Sequence, residues 1–464
     1  MTSINNCISK INLFQDKNKN NINLLLNHLT VVFLFFTPIT FSFPDSRTVS
    51  FLFTLLYILI VIRGNYLKYL KISLSHPLTK PYLYFMSIHF IWMIGTSENT
   101  DINLWLKYSY HNLYPLLFFS FLDKRFFNIY ISSFILGAFF SEVLSYLMNF
   151  NLIPWKATID ISIDMFSHYK TKILYEAVKG EPTPFMDRSY YSALLAIVGS
   201  LILIRLFDFR NNKIKILIYT LFFTSITINL FFIGGRAGYL LYIILLMYIL
   251  YHFYKKYSNR FYTYLILGIL SISTIVSIAM YNSDGIFKHR VQVTLDGIYS
   301  TINGDIEAEP RVKLLIQGIK ATKDNFLFGQ GTGEALSHLR NKEENKNTEI
   351  QIVRDVHNQY IDLILQFGLI GLLIYLHLIY KIFKFNDIRI TENQYLVKNI
   401  MLISIIYLGC VATFSIYFTH LLTLLVIIST INKEILDRSP IINKKTIIIY
   451  CLFIIISYIV GILQ

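Results

Sequence analysis

The sequence predicts an all-α fold, a polytopic transmembrane helix bundle of about 12–13 spans with one large, partly helical loop outside the membrane. Hydrophobic residues make up 54% of the 464 residues and charged residues 15%, whereas a soluble domain carries about 25% charged residues. The mean hydropathy is +0.51. The apolar residues also fall into runs of about 20, the length that a helix needs to cross a bilayer. An integral membrane protein is therefore expected.

Thirteen apolar runs are candidate spans. They cover residues 23–43, 49–62, 81–97, 102–121, 126–148, 189–207, 215–233, 237–254, 261–280, 357–380, 399–417, 419–431 and 446–463. The pair between residues 399 and 431 is expected to contain a short or re-entrant helix. The first run is too long for the core of a signal peptide and has no small-residue cleavage site, so we interpret it as a retained first span.

Basic loops alternate along the chain and predict its orientation. The loops after every second span are rich in Lys and Arg, which marks the cytoplasmic side of a membrane protein. Their basic residues are Arg63, Lys68, Lys71 and Lys80; Lys124 and Arg125; Arg210, Lys213 and Lys215; Lys255, Lys256 and Arg260; Lys381, Lys384, Arg389 and Lys398; and Lys433, Arg438, Lys444 and Lys445. The formal net charge of +14 is therefore a topology signal and does not indicate a nucleic-acid-binding surface. The N-terminus is expected inside.

This scheme divides the chain into three regions: an N-terminal bundle of about nine spans at 1–280, a large outer loop at 281–355 and a C-terminal bundle at 356–464. The loop has ten Lys or Arg and eleven Asp or Glu, so it is nearly neutral. Apolar residues at i, i+3, i+4 and i+7 predict a helix in it; they are Val312, Leu315, Ile316 and Ile319. Pro310, after Glu309, suits the first position of this helix. The helix is expected to end near residues 325–329 and to lie on the membrane surface.

Three arginines on the predicted outer face form a candidate anion site. Arg236 follows two glycines at the outer end of a span, and Arg311 starts the amphipathic helix. Arg188 enters a span within Asp187-Arg188-Ser189-Tyr190-Tyr191. A guanidinium group binds phosphate in a bidentate way, glycines allow a close backbone approach, and a helix N-terminus favours an anion. Each arginine alone is also typical of a snorkelling or helix-end charge, but three on one face favour a diphosphate or polyphosphate ligand.

His357 lies at the start of the span after the outer loop, where a histidine often has only a structural role. Two features favour a catalytic one. Asn358 is adjacent, and Asn358, Asp362 and Gln366 recur at i, i+4 and i+8, so that one face of a membrane helix is polar. Polar groups at membrane depth are costly and usually face a bundle interior or a cavity. A histidine side chain can also exchange protons near neutral pH.

The remaining polar groups carry weaker signals. Glu142 is an acid inside a span, and either a hydrogen bond between helices or a cavity-lining role explains it. The glycine-rich residues 329–333 follow a helix and not a strand, which disfavours a nucleotide site and favours a tight turn that returns the loop to the bundle. Cys7, Cys410 and Cys451 lie too far apart to indicate a metal site or a disulfide. The sequence shows no zinc or magnesium ligand cluster, so neither a metal nor another cofactor is expected.

Several of these segments together resemble the O-antigen ligase and polymerase family of bacterial envelope enzymes. The similar segments are Gly235-Arg236-Ala237, Pro310-Arg311-Val312-Lys313, Asn325-Phe326-Leu327-Phe328-Gly329-Gln330-Gly331, His357-Asn358-Gln359-Tyr360 and Phe367-Gly368-Leu369-Ile370-Gly371. Their order, and the large external loop after about the ninth span, are also similar. The resemblance covers about residues 185–375. The last run, at 446–463, departs from it, because many ligases have about twelve spans.

The resemblance implies a metal-independent glycosyltransferase of the bacterial inner (cytoplasmic) membrane, with its active site facing the periplasm. Such enzymes take a glycan carried on undecaprenyl pyrophosphate as the donor. By this resemblance Arg236 and Arg311 contact the pyrophosphate, and His357 is the base. The candidate substrate-binding residues are Arg188, Tyr190, Tyr191, Asn358 and Asp362. Membrane lipids are the other expected partners, and neither a nucleotide sugar nor nucleic acid is required.

Two alternatives stay open. Within the family, a ligase transfers the glycan to lipid A–core, whereas a polymerase transfers it to another lipid-linked repeat unit. The spacing from Arg311 to His357 and the lead-in Asp355-Val356-His357-Asn358 favour the ligase. Outside the family, a multispan transporter or flippase predicts paired charges in mid-membrane, discontinuous helices and an internal repeat. The sequence has few such charges and no visible repeat, so the transferase is preferred.

Overall fold

The computed structural model describes residues 20–39, 47–93, 114–162, 169–177, 181–208, 212–256, 260–283, 285–303, 310–341, 356–412, 416–437 and 443–463. Within these ranges the chain is a bundle of α-helices, which confirms the predicted fold class. Several predicted features lie wholly or largely outside the described residues. They include the span at 102–121, the helix-start residue Glu309, Asp355 and Cys7.

The helices of the described chain are numbered here in order. They are α1 (Asn20–Phe36), α2 (Arg47–Arg63), α3 (Tyr66–Leu74), α4 (Thr79–Ile91), α5 (Tyr114–Phe118), α6 (Phe127–Asn149), α7 (Arg188–Asp208), α8 (Lys213–Ile233), α9 (Arg236–Lys256), α10 (Arg260–Asn282), α11 (Ile286–Ile302), α12 (Pro310–Thr322), α13 (Ala335–Asn341), α14 (Gln359–Lys384), α15 (Glu392–Val411), α16 (Ile416–Thr430) and α17 (Lys444–Leu463). Single 3₁₀ turns at Lys124–Phe126 and Lys323–Asn325 adjoin α6 and α12.

Seven helices of the described chain are long and apolar enough to cross a membrane, which confirms its polytopic character. They are Lys124–Asn149, α7, α8, α9, Leu265–Asn282 in α10, α14 and α15. An eighth candidate is the pair α2 and α3, which bends by 116°. Three further apolar helices are shorter: α1, Leu421–Thr430 in α16 and Thr446–Ile459 in α17. The difference from thirteen predicted runs arises where helices are bent or short, or where the chain lies outside the described ranges.

The centre of the bundle is α7. Every residue from Tyr191 to Phe207 is buried, and the helix packs against α6, α8, α9 and α15. A helix that is apolar on all sides belongs in the interior of a bundle, which explains why α7 is largely apolar, with Ser192, Ser200 and Arg205 as its buried polar residues. The exposed apolar side chains lie on outer helices such as α8 and α9, where lipid tails would contact them. Examples are Leu217, Leu221, Ile243 and Met247.

An antiparallel hairpin between α6 and α7 is an addition to the predicted all-α fold. Its strands are β1 (Lys156–Ser162) and β2 (Tyr169–Glu176), paired from Lys156 with Glu176 to Ser162 with Tyr169. The sequence from Thr158 to Ser162 alternates polar and apolar residues, which is typical of a strand. Each strand is much shorter than the apolar runs of about 20 residues from which the spans were predicted, so these runs do not reveal it.

The loop between α10 and α14 is partly helical, as predicted. The helix α12 begins at Pro310, where the missing N–H of proline costs nothing, and it ends at Thr322. The predicted apolar stripe faces the protein only in part. Val312 and Ile316 are half-buried, whereas Leu315 and Ile319 are 37% and 50% exposed. Contact of the exposed part with the membrane surface stays a prediction.

Candidate functional site

Three arginines from three helices lie close together, and two of them contact one carboxylate; we call the three the arginine cluster. Arg188 begins α7, Arg236 begins α9 and Arg290 lies one turn into α11. One oxygen of Glu181, in the segment before α7, contacts Arg188 and lies 3.2 Å from Arg290 Nη2. Arg236 Nη1 donates to Thr294 Oγ1 at 3.5 Å, one turn beyond Arg290. The structure thus joins two predicted residues, Arg188 and Arg236, with one that was not predicted.

The arginine cluster has an excess of positive charge. Burial lowers the pKa of the Arg290 guanidinium, the charges of Arg188 and Arg236 lower it further, and Glu181 opposes them. The side chain of Arg188 is 34% exposed, and those of Arg290 and Glu181 are each 22% exposed. Because Arg188 and Arg290 share one carboxylate and stay partly accessible, with the charge of Arg236 nearby, the cluster favours an anion that carries more than one charge.

The two glycines before Arg236 have a packing role. Gly234 ends α8 with φ 74°, a left-handed conformation that glycine adopts at little cost. A Cβ at Gly235 would lie 2.1 Å from Ser192 Oγ and 2.7 Å from the Arg188 carbonyl oxygen. The sequence predicted that these glycines allow close approach of a ligand. In the structure the close neighbour is α7, and this contact sets Arg236 beside Arg188.

His357 and Asn358 form the start of α14. Asn358 is the N-cap: its Oδ1 accepts from the backbone N–H groups of Tyr360 and Ile361, at 3.0 and 3.1 Å. Its Nδ2 donates to the Cys410 carbonyl oxygen of α15 at 3.0 Å. His357 has φ 53°, and a positive φ in a non-glycine residue persists only where the surroundings determine it. The backbone direction of His357 is therefore set by its neighbours.

Arg311 approaches the same part of α15. It is the second residue of α12, and its charge acts on the Tyr407 hydroxyl. Tyr407 lies one turn before Cys410, whose carbonyl oxygen holds Asn358. The charge of Arg311 and the amide of Asn358, next to His357, thus act on one turn of α15. This helix also packs against α7 and α9, which carry two residues of the arginine cluster. The two groups of candidate residues therefore lie on helices that share α15 as a neighbour.

The glycine-rich loop after α12 fills a break in α14. Gly368 has φ 66° and ψ −168° within this helix, so the regular hydrogen bonding stops there. Gln330 N donates to the Leu365 carbonyl oxygen at 2.7 Å, and Leu369 N donates to the Phe326 carbonyl oxygen at 2.8 Å. The loop backbone thus pairs with the N–H and carbonyl groups of α14 that have no partner within the helix at the break. Such pairing is required where a helix is interrupted inside a membrane protein.

The predicted polar face of α14 fixes this loop. Gln366 Nε2 donates to Asp362 Oδ2 at 2.6 Å, and Gln366 Oε1 accepts from Gly333 N at 2.8 Å. A Cβ at Gly329 would lie 2.5 Å from the Gln366 carbonyl oxygen, so a larger residue does not fit there without movement. The sequence predicted both a polar face and a turn that returns the loop to the bundle. In the structure that turn ends inside the helix break.

The two predicted tyrosines occupy different surroundings. Tyr190 is partly buried against the hydrophobic core. Tyr191 is fully buried, and its hydroxyl lies beside Ser145 of α6 and Asn229 of α8. Tyr191 therefore faces the bundle interior one turn below Arg188. The role of both residues in substrate binding stays a prediction.

Glu142 belongs to the same interior polar group as Tyr191. Its Oε1 accepts from Ser225 Oγ at 2.6 Å, and its Oε2 is buried with no hydrogen-bond partner among the described residues. Ser145, one turn further along α6, donates to the Pro182 carbonyl oxygen at 2.5 Å, next to Glu181. A chain of polar contacts thus runs from the middle of α6 toward the arginine cluster. Of the two explanations left open for Glu142, the hydrogen bond between helices is present.

Glu181 and Arg290 were not predicted because neither adjoins a recognisable motif. Arg290 belongs to the charged run Lys288-His289-Arg290, which is typical of a solvated surface. Only the helical register of α11 and the path of the segment before α7 bring it to Glu181. Within the part of the chain that the structure describes, no three His, Cys, Asp or Glu side chains are grouped closely enough to hold a metal ion.

Comparison with known proteins shows that part of the chain is similar to a protein family. The family model described as O-Antigen ligase matches residues 219–376. The matched region runs from α8 into α14 and contains Arg236, Arg290, Arg311 and His357, whereas Arg188 precedes it. No curated protein matches the chain significantly.

Proposed function

We propose that this member of the O-antigen ligase family moves a glycan from undecaprenyl pyrophosphate to an acceptor hydroxyl. Membership of the family implies a glycosyltransferase-like ligase or polymerase that uses lipid-linked glycans. The observation that supports the finer proposal is the arrangement around α15. The charge of Arg311 acts on Tyr407, and Asn358, next to His357, bonds Cys410 one turn further along α15. The helices α7 and α9, with two residues of the arginine cluster, pack against α15. A proton acceptor and several fixed cations thus lie on neighbouring helices.

In the proposed reaction the acceptor hydroxyl attacks the anomeric carbon of the donor sugar, and His357 takes the hydroxyl proton. The bond between the anomeric carbon and the pyrophosphate oxygen breaks, and the pyrophosphate leaves with the bonding electrons. Negative charge grows on this oxygen as the bond breaks. Fixed guanidinium groups therefore stabilise the transition state more than the ground state. We assign this role to Arg236 and Arg311, with Arg188 as a further donor contact. The scheme uses no metal ion and no nucleotide sugar.

We assign supporting roles on the acceptor side to Asn358 and Asp362. The Asn358 amide caps α14 and bonds α15, so it holds the adjacent His357 in place. Asp362 accepts from Gln366, which in turn fixes the glycine-rich loop. Both residues would therefore position the acceptor and the base without exchanging a proton.

The proposed acceptor is lipid A–core, which would make the protein a ligase of the inner membrane with its active site on the periplasmic side. The spacing from Arg311 to His357 and the lead-in Asp355-Val356-His357-Asn358 favour this choice over a polymerase. A purified protein offered both acceptors distinguishes the two activities. Transfer to lipid A–core supports the ligase, and extension of a lipid-linked repeat unit without transfer to lipid A–core overturns it.

The role of the arginines is tested by single-turnover transfer with purified protein, a lipid-pyrophosphate glycan and excess chelator. Arg236→Ala and Arg311→Ala should each abolish transfer at an unchanged protein level. Arg→Lys at either position should recover only part of the activity, because lysine lacks the bidentate fork of arginine. Full activity of both alanine variants would remove the pyrophosphate role. Wild-type transfer that requires added metal would refute the metal-free scheme.

A further inference from the structure

A cavity of about 620 Å³ lies at the opposite end of the bundle from the arginine cluster. Its walls come from the first turn of α1, from α3, from the segment before α15 and from the segment after α16. Lys124 also lines it, at the start of the helical span that includes α6. Ser145, about 30 Å further along this span, bonds the carbonyl oxygen next to Glu181. The cavity is therefore separate from the candidate active site.

The cavity wall is positively charged. Four basic residues and two acidic residues line it, which leaves a formal excess of two positive charges. Two of the basic residues have carboxylate partners: Lys124 lies 3.1 Å from Glu434, and Arg389 lies 2.6 Å from Asp387. Lys68 and Lys433 are the other two. When Asp387, the partner of Arg389, is counted together with the lining acids Glu434 and Asp437, one positive charge stays in excess, and it lies on these two lysines.

Lys433 has only neutral groups among its hydrogen-bond acceptors in the described structure. Its ammonium group donates to the Ile72 carbonyl oxygen at 3.2 Å and to the Ser75 hydroxyl. Burial lowers the pKa of Lys433, and the charge of Arg389 lowers it further. An anion in the cavity would reverse both effects, because it would replace lost hydration and screen the two cations from each other.

Asn432 adds an acceptor to this positive wall. It is 4% exposed, and its Nδ2 donates to Asp387 Oδ2 at 2.6 Å. Its Oδ1 is buried and has no hydrogen-bond partner among the residues that the structure describes. A buried acceptor without a donor is unfavourable unless a ligand or water supplies one. The wall therefore fits a ligand that carries both a negative group and a hydroxyl donor.

The helix α3 places the cavity at the level of lipid headgroups. It follows α2 after a bend of 116°, so it runs across the direction of the span before it. Tyr66, Leu67 and Leu70 of α3 are 56%, 77% and 43% exposed, whereas Lys68 lines the cavity. A short helix with exposed apolar residues and a basic face is typical of a segment that lies in the membrane interface.

We propose that this cavity binds the headgroup of an anionic phospholipid of the phosphatidylglycerol class, with the phosphodiester near Lys433 and Lys68. A glycerol hydroxyl of such a headgroup would donate to Asn432 Oδ1. Basic pockets between membrane helices on the cytoplasmic side are suited to anionic headgroups, and the loops that build this cavity are those with the predicted cytoplasmic signature. The site is independent of the transfer reaction.

The test is a binding measurement on the full-length protein in a neutral detergent. Its thermal midpoint is followed while phosphatidylglycerol, phosphatidylcholine or glycerol 3-phosphate is added. Phosphatidylglycerol should raise the midpoint in a saturable way. Its apparent dissociation constant should increase about tenfold in Lys433→Gln and in Lys68→Gln, since each removes one charge-assisted contact. Lys255→Gln, which removes the same charge from an exposed site at the end of α9, should bind as the wild type does.

Three results would overturn the proposal. Equal weakening in Lys255→Gln would show attraction to the general surface charge. An equal effect of phosphatidylcholine would show that the headgroup charge is irrelevant. Equal stabilisation by glycerol 3-phosphate would identify a soluble phosphate site and not a lipid site. Lys68 is exposed, so Lys68→Gln is expected to fold. Its binding of phosphatidylglycerol tests the proposal even if Lys433→Gln fails to fold.

Discussion

At the scale of single residues, His357 has either a catalytic role as a base or a structural role through its backbone conformation, and substitutions can distinguish the two. If it is the general base, His357→Ala should lower single-turnover transfer by roughly 10²–10⁴-fold, the usual contribution of general acid–base catalysis. Donor binding should persist because the arginines remain. Asn358→Ala should have a smaller effect on transfer, together with a loss of about 0.5–2 kcal/mol of stability from the missing N-cap.

A matched control for this prediction is His357→Asn. The other two non-glycine residues with positive φ in the described chain are Asn65 and Asn151, so asparagine suits the backbone conformation of His357. It cannot take a proton from the acceptor. Loss of transfer in both variants identifies the base, whereas recovery in His357→Asn would mean that only the backbone conformation matters.

Arg290 and Glu181 give a second prediction at this scale. Arg290→Ala should weaken binding of a lipid-pyrophosphate donor by about tenfold or more, because it removes one charge-assisted contact. Glu181→Gln should strengthen donor binding, because Arg188 and Arg290 lose the carboxylate that competes with the ligand. Lys288→Ala, two residues away on the same helix, points to another face and should change little. Unchanged binding in Arg290→Ala would remove this residue from the donor site.

A candidate residue can be predicted from the sequence when a recognisable local motif adjoins it. Arg236 follows a glycine pair, Arg311 follows a proline, and His357 precedes an asparagine that caps a helix, so each could be singled out from the sequence. Arg290 and Glu181 meet only because α11 packs beside the segment before α7, 109 residues away in the chain. No local pattern encodes such a contact.

At the scale of elements, the join between the glycine-rich loop and α14 predicts a large effect from small substitutions. Gly329 has φ 71° and Gly368 has φ 66°, and a Cβ on either would lie 2.5 Å or less from backbone atoms of the other segment. Gly329→Ala or Gly368→Ala should therefore lower the thermal midpoint strongly, with roughly 1–2 kcal/mol from the left-handed backbone alone. Gly268→Ala, where no atom lies within 4 Å of the added Cβ, is the matched control and should not destabilise. Equal thermal midpoints in all three variants would contradict the close contact between the glycine-rich loop and α14.

The break itself shows what a sequence pattern cannot resolve. Residues 361–380 form one apolar run, and the predicted span at 357–380 was continuous. A glycine inside such a run is also compatible with a regular helix. The break becomes necessary only when residues 326–331 supply the replacement hydrogen bonds, and that pairing joins segments about 40 residues apart. The bend between α2 and α3 was likewise not predicted from the apolar run at 49–62.

At the scale of the whole molecule, one buried histidine links stability to pH. His76 stacks on Phe119 at 3.8 Å between ring centroids, and its Nε2 contacts the Thr430 carbonyl oxygen at 3.0 Å. Burial lowers the pKa of His76 to about 4, opposed by the Thr430 bond and Asp387 and assisted by Lys433 and Arg389. The folded protein thus binds fewer protons than the unfolded chain between about pH 4 and 6.5.

Stability should therefore be complete above pH 6.5 and fall as the pH drops toward 4, with a loss of about 3 kcal/mol from this group. The measurement is the thermal midpoint between pH 7 and pH 4.5. His76→Gln should flatten the decline, whereas His377→Gln, which changes an exposed histidine, should keep the wild-type decline. An unchanged decline in His76→Gln would assign the acid sensitivity to other groups.

The connections that unite the bundle lie beyond sequence-based prediction. Asp123 accepts from the backbone N–H groups of Ile435 and Leu436, more than 300 residues later in the chain, at 2.7 and 2.8 Å. These contacts attach the segment after α16 to the turn before α6. Apolar runs predict that helices exist, but the partners of a buried carboxylate depend on how all the helices pack.

The orientation of the chain in the membrane can be predicted from two groups of charged residues at opposite ends of the bundle. Glu181 contacts Arg290, so the segment before α7 and the loop that contains α11 must lie on the same side. The cavity residues Lys68, Lys124 and Lys433 share the opposite end of the bundle, and the alternation of basic loops predicts that this end lies in the cytoplasm. A reporter active only outside the cytoplasm should therefore work when fused at Asn345 and fail at Ser258, and a cytoplasmic reporter should give the reverse. Cytoplasmic activity at Asn345 would place the arginine cluster on the side away from the proposed donor glycan and would overturn the proposed reaction together with the topology.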